Sequence, residues 1–380
     1  MKKKKITFII VNRANYGRIK NLLIDLKKKE YFKIDIVIVS SSTLKKYGEI
    51  ENVIKKDGLK VSEKIYTHIE GENLHTMAKS TGLLLLELST TFQKLNPDMV
   101  FIVGDRYEVL SAAIAANYMN IFLIHLQGGE LTGSVDENVR HAVTKLSHLH
   151  LVNTNRSKKI VQQMGENPKN VFNVGCPSID IIKNLDFKKV KIKQPFGVGH
   201  KIDLKKPYYV FLIHPVTTDY KNSEKLINEM IEVAKKINDQ IIWLWPNVDA
   251  GAHIFTKKIR SFREKYKKKI NFVINFKTDE YLKIIKNCIA IIGNSSSAIR
   301  EASYMGIQAI NIGDRQILRE RSKNVIDAPV DHKHILRLIK KSDKIKIKGT
   351  KLYGDGNAIS KIINILRKTN LDIKKKFYVK

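Results

Sequence analysis

Short apolar runs rich in Val and Ile alternate with amphipathic stretches of helical period along most of the chain, and this alternation narrows the fold more than any other feature. A strand that is apolar throughout is buried on both faces, and the amphipathic segments between such strands are what buries it. In the first half, strands are expected over residues 6–11, 34–39, 99–103, 121–125, 149–152 and 171–174. Between the first two, Ile19, Leu22, Leu23 and Leu26 recur at helical spacing, so a helix over 18–29 lays one stripe on the sheet. Residues 186–207 break the pattern: they are Lys-rich, carry Pro195, Gly197, Gly199 and Pro207, and read as a linker. The alternation restarts with strands over 208–213, 241–245, 271–274, 289–292 and 308–312, and Leu226, Met230, Val233 and Ile237 mark a helix between the first two. The expected architecture is α/β: two Rossmann-like, doubly wound domains facing a cleft, 1–185 and 208–356, with a C-terminal helix 357–380 joining the first.

At 380 residues the chain exceeds what one core usually organises, which agrees with two domains. The formal charge of +32 would suit nucleic acid or an anionic membrane. However, 56 of the basic residues are Lys and thirteen are Arg, scattered over the chain without interleaved aromatics. That is the pattern of a solvated surface, so neither partner is expected. No stretch reaches the roughly 18 apolar residues of a membrane span; the longest, 110–126, is interrupted by Asn117, Asn120 and His125. Cys176 and Cys288 stand far apart and form no metal or disulfide pattern. A cytoplasmic homo-oligomer, most simply a dimer, is expected, with no metal or other cofactor.

Neither half carries G-x-G-x-x-G after its first strand, and no P-loop occurs, which sets aside dinucleotide oxidoreductases and P-loop NTPases. Four segments carry chemistry instead. After the strand 289–292 comes Gly293-Asn294-Ser295-Ser296-Ser297, then Glu301 one turn into an expected helix. Free backbone N–H groups and hydroxyls there suit a diphosphate, while an ordinary serine cap explains the same residues. Gly104-Asp105-Arg106-Tyr107-Glu108 follows the strand 99–103 at the end where parallel sheets place function, though an Asp-Arg ion pair could simply cap a helix. The segment 125–141 brings Glu130, Asp136 and Glu137 near one crevice, with Arg140 on the same helix face to orient a carboxylate. Ser134 and Glu137 also have capping-box spacing, and His141, His148 and His150 read as packing or surface residues. His214 ends the second domain's first strand, placed to donate to a leaving phosphate.

Taken together and in this order, segments 104–108, 125–141, 214–218, 246–251 and 293–301 resemble the hydrolysing UDP-N-acetylglucosamine 2-epimerases of sialic acid and related nonulosonate pathways. The resemblance runs from Asn12 to about Glu320. It implies the two-Rossmann glycosyltransferase-B architecture, and a reaction in which UDP is eliminated across C1–C2 and water adds to the resulting glucal, giving free N-acetylmannosamine. It implies catalytic roles for Asp105, Asp136 and His214, with nucleotide contacts from Arg13, Arg106, Asn247, Ser295, Ser296, Glu301 and Arg315 and with Phe276 beside the uracil. Gln127, Arg140 and Asn294 complete the expected binding set. Two departures stand out: Gln127 occupies a position where many members carry Glu, and Asn15 stands where Asp is frequent. Because an amide cannot act as a base, Glu130 or Asp136 is expected to carry proton abstraction, or the sugar differs. The sister substrate is UDP-2,4-diacetamido-2,4,6-trideoxy-glucose, of legionaminic acid synthesis. A glycosyltransferase of the same fold and a basic nucleic-acid-binding protein are the further alternatives.

Overall fold

The computed structural model describes residues 3–44, 50–247, 249–266, 269–342 and 347–379. Strands β1 (Lys4–Ile10), β2 (Phe32–Val39), β3 (Glu63–Ile65), β4 (Met99–Val103), β5 (Phe122–Leu126), β6 (Leu149–Val152) and β7 (Val171–Asn173) form one sheet in the order β3-β2-β1-β4-β5-β6-β7, all parallel. A second sheet contains β8 (Val198–Gly199), β9 (Tyr208–Leu212), β10 (Gln240–Leu244), β11 (Ile270–Val273), β12 (Ala290–Gly293), β13 (Gln308–Ile312) and β14 (Val325–Ala328), ordered β14-β13-β12-β9-β10-β11-β8. Only β8 runs antiparallel among these described strands.

Each sheet is buried on both faces by residues that alternate along its strands. On β1, Ile6, Phe8 and Ile10 face the helix Arg13–Lys27 through Ile19, Leu22, Leu23 and Leu26, while Ile9 joins Val37, Val39, Leu84 and Leu88 on the opposite side. The helix Arg13–Lys27 begins five residues before the apolar stripe suggests, because the side chain of Asn12 accepts from the backbone N–H of Asn15 at 2.7 Å and caps it. The helix Ala358–Lys368 returns to the first domain, where Ile359, Ile362 and Leu366 enter the same core. Lys4 Nζ closes that helix by donating to the carbonyls of Leu366, Arg367 and Thr369 at 3.2, 3.1 and 2.7 Å.

Three strands lie outside the sequence expectation: β3, β8 and β14. Each is two to four residues long and mostly exposed or half-buried, so none leaves an apolar run to read. β8 falls inside the segment read as a linker and adds an edge to the second sheet by pairing Gly199 with Asn271.

In both sheets the strand order reverses at one place, between β1 and β4 in the first and between β9 and β12 in the second. Successive connections leave toward opposite faces there and open a crevice beyond the carboxyl ends of the strands. The two crevices face each other across the domain interface, and together they make a cavity of about 2090 Å³.

Candidate active site

The cavity is lined by residues that follow β1 and β4 on one side and β9, β10, β12 and β13 on the other. Arg13, Asp105, Arg106, Asp136, His214, Asn247, Phe276, Ser295, Ser296, Glu301 and Arg315 all reach its wall. Gln127, Glu130, Arg140 and Asn294 do not. Residue 248, inside the segment 246–251, lies outside the described residues.

Asp105 and Asp136 are the carboxylates of the first-domain wall that follow β4 and β5. Asp105 follows the turn at Gly104, which is held from behind by His125: its Nε2 lies 2.8 Å from the Gly104 carbonyl and its Nδ1 3.2 Å from Thr144 Oγ1. Burial drives the His125 pKa to about 3, so the ring is a neutral prop. Arg140, fully buried, donates through Nε to Asp105 at 3.0 Å and through Nη1 to the Glu130 carbonyl at 2.6 Å and to Glu137 at 3.1 Å. It therefore orients Asp105 from behind the cavity wall, outside the surface where the expected binding set would reach a ligand. Burial alone would raise the pKa of Asp105, but the guanidiniums of Arg140, Arg319 and Arg300 outweigh it and hold Asp105 well below the usual carboxylate range.

Asp136 opens the helix Asp136–Leu146, where Ser134 Oγ donates to it at 3.0 Å and Arg315 Nη2 of the second domain lies 3.5 Å away. Burial first, and the neighbouring charge of Asp105 second, push its pKa up to about 6. Two carboxylates whose environments drive their ionisation apart are the arrangement that acid-base chemistry needs. The capping box anticipated from Ser134 and Glu137 does not form. Glu137 turns to the Thr132 backbone N–H at 2.5 Å, to Arg140 and to His141, which lies 3.0 Å away.

Glu130 is corrected from candidate base to buried ion-pair partner. Only 4% exposed, it receives Asn153 Nδ2 at 2.5 Å and lies 2.6 Å from both Arg300 and Arg319. Burial would raise its pKa, but Arg300, Arg319 and Arg140 depress it to about 2, too weakly basic to take a proton from carbon. Gln127 is likewise withdrawn from the wall. It adopts φ +75°, is 1% exposed, donates to Cys176 Sγ at 3.3 Å and accepts from Arg18 Nη1 at 3.3 Å.

The second-domain wall rests on a cross-link between β9 and β12. Gly293 lies where an added Cβ would meet the Leu212 carbonyl at 2.0 Å, with φ +148°, so only glycine lets the strands approach. Asn294 then accepts from the His214 N–H and donates to the His214 carbonyl, both at 2.8 Å, which makes it the clamp of His214 instead of a ligand contact. Burial, reinforced by Arg315, lowers the His214 pKa to about 3. Ser295, Ser296 and Ser297 do not cap an α-helix as expected: residues Ser296–Ala298 form a 3-10 turn, and the helix Glu301–Met305 begins only afterwards. The turn keeps Ser295 and Ser296 on the cavity, and Arg18 Nη2 reaches Ser296 Oγ from the first domain at 3.4 Å. Phe276 packs on Phe196 with ring centroids 5.2 Å apart.

Sequence reasoning missed Asp249, Arg18, Arg300 and Arg319. Asp249 pairs with Arg106 across the domains at 2.7 Å, while Glu108 holds Nε of that guanidinium at 3.0 Å. Asp249 and Arg300 lie inside the segments 246–251 and 293–301, and Arg319 follows Arg315 by four residues at the same end of the second sheet; these are the hints that the sequence offers. Among the described residues no cluster of ligands suits a metal ion, and no helix is long and apolar enough to cross a membrane.

Two doubly wound domains whose switch points meet over a cleft lined by arginines, carboxylates and hydroxyls define the glycosyltransferase-B architecture, the fold of nucleotide-sugar enzymes. Within it the chain belongs to the UDP-N-acetylglucosamine 2-epimerase family, whose profile matches residues 24–367. It is 34% identical over 365 residues to the UDP-N,N'-diacetylbacillosamine 2-epimerase (hydrolyzing) of Legionella pneumophila, covering 96% of both chains. It is 33% identical to the GDP/UDP-N,N'-diacetylbacillosamine 2-epimerase (hydrolyzing) of Campylobacter jejuni, covering 87% of this chain and 86% of the relative. The fold matches the crystal structure of Methanocaldococcus jannaschii UDP-GlcNAc 2-epimerase in complex with UDP-GlcNAc and UDP, with TM-score 0.80 and 18% identity over 96% of this chain and 100% of that one.

Proposed function

We propose that the protein is a hydrolysing 2-epimerase of a UDP-2-acetamido sugar. The observation that carries this reading is the pair Asp105 and Asp136, one strongly ionised and one with its pKa near 6, facing the neutral His214 across the cavity. In the proposed reaction Asp136 takes the C2 proton while the C1–O bond breaks and its electron pair leaves with UDP. Asp105, ionised, stabilises positive character at C1. His214, the Ser295–Ser296 turn and Arg315 receive the diphosphate charge. Water then adds at C1 and a proton returns to C2 from the opposite face, releasing the free 2-epimer.

For the sugar, the relatives favour UDP-2,4-diacetamido-2,4,6-trideoxy-glucose over UDP-N-acetylglucosamine, which the resemblance alone put first. Both relatives described above are named for N,N'-diacetylbacillosamine. The test is product identification by NMR with each UDP-sugar in turn. Release of UDP and a free 2-epimer supports the reading, and the faster substrate assigns the sugar. An epimer still attached to UDP, or transfer to an added acceptor, sinks it. We further propose a dimer, since helix Leu74–Leu95 leaves Leu83 and Leu86 exposed at 43% and 68%.

A further inference from the structure

Glu130 belongs to the first domain, yet most of its charge is met from the second. Oε2 lies 2.6 Å from Arg300 Nη2 and 2.6 Å from Arg319 Nη1, and Oε1 accepts from Asn153 of its own domain at 2.5 Å. All three charged side chains are nearly inaccessible, at 3% exposure each. A carboxylate from one body gripped by two guanidiniums from the other exists as a buried cluster only while the two bodies are together. Separation would return all three to water. The chain crosses between the domains after the helix Pro177–Asn184 and again before the helix Ala358–Lys368, a connection that permits relative motion.

Arg319 extends the cluster into the active site. Its Nη2 lies 3.9 Å from Asp105 Oδ2. Around Asp105 the charged groups are Arg140 and Asp136 from the helix Asp136–Leu146, Arg300 and Arg319 from the second domain, and the adjacent Arg106; His125 behind it is neutral. Arg140 is thus the direct cation partner that the first domain supplies, and Arg319 adds a second from across the interface.

We propose that Glu130 is the catch on which the second domain closes, and that Arg319, seated by that catch, is a positioning residue that completes the counter-charge of Asp105 only in the closed molecule. The first half stands on geometry alone; the second rests on the proposed role of Asp105.

The test uses the full chain with UDP as probe. Small-angle scattering of Glu130→Gln, Arg319→Gln and the double variant at saturating UDP should give a radius of gyration above wild type for each single variant. The double variant should be no more expanded than either single, because one interaction has been removed twice. A single variant as compact as wild type, or expansions that add in the double, would overturn the catch. Should Glu130→Gln fail to fold, Arg319→Lys, which keeps the charge but loses the reach to Glu130, carries the same measurement. In Arg319→Gln the acid limb of kcat/KM, set first by Asp136, should steepen at its low-pH end from a slope of about one toward about two as Asp105 begins to titrate there. An unchanged slope would overturn the role of Arg319 toward Asp105. If no UDP-sugar is turned over by wild type, the enzymatic reading fails while the scattering result still decides the catch.

Discussion

The backbone N–H of Asn247 donates to Nδ1 of His214 at 3.1 Å, and this one bond decides which way the imidazole works. With Nδ1 occupied as an acceptor, the neutral ring carries its hydrogen on Nε2 and offers it as a donor. Because burial holds the ring neutral down to about pH 3, His214 supplies a hydrogen bond to a leaving phosphate without titrating in the working range. His214→Asn should cost on the order of 100- to 1000-fold in kcat, the usual loss of a charge-stabilising donor. The wild-type pH–rate profile should show no limb assignable to histidine near 6.5. A limb there that disappears in His214→Asn would overturn the assignment.

Asp136 should set the acid limb instead. Its pKa near 6 means that the basic form is lost as pH falls through 6, so kcat/KM should drop below that point. Asp136→Asn should lose at least about 100-fold in turnover while retaining UDP affinity by calorimetry.

The same shift has a stability consequence of opposite sense. A carboxyl whose folded pKa lies above its unfolded value favours the folded state while protonated, and that contribution is lost as pH rises through about 6. Asp136→Asn should therefore be more stable than wild type at pH 8, by on the order of 1–3 kcal/mol. The gain should vanish at pH 4. Denaturant titrations at the two pH values check both.

Gly133 marks where the domains touch. Its N–H donates to the Arg315 carbonyl at 3.2 Å, and an added Cβ would stand 2.0 Å from the Asp314 carbonyl. Gly133→Ala should leave each domain folded but hold the walls apart, displacing Arg315 from Asp136. We expect at least about a tenfold fall in kcat/KM, equivalent to 1.4 kcal/mol. Steady-state kinetics alongside a melting curve would separate this from general destabilisation.

Gln127→Glu tests whether a carboxylate at this position restores a base. Since Gln127 lies off the cavity wall and accepts from Arg18, the new charge should draw Arg18 away from Ser296. KM should rise by about tenfold, or 1.4 kcal/mol, with no gain in kcat. An increase in kcat would show that the side chain reaches substrate after all.

The two-domain α/β fold was legible because parallel strands buried on both faces leave unbroken apolar runs, and long amphipathic helices such as Arg13–Lys27 leave a stripe of Ile19, Leu22, Leu23 and Leu26. Edge strands such as Val198–Gly199 leave no such mark, since they are short and need little burial to hold their hydrogen bonds. By itself the sequence determined which segments end strands with chemistry: Asp105 and Asp136 on one side, His214 and the Ser295–Ser296 turn on the other. It did not separate wall from foundation, because Asp105 and Glu130 are both carboxylates near one crevice in the chain. Only the tertiary structure decided that Asp105 opens onto the cavity while Glu130 is enclosed by Arg300 and Arg319, residues some 170 and 189 positions away. A carboxylate's role follows from its solvent access and its counter-ions, and both are set by groups that reach it only when the two domains meet.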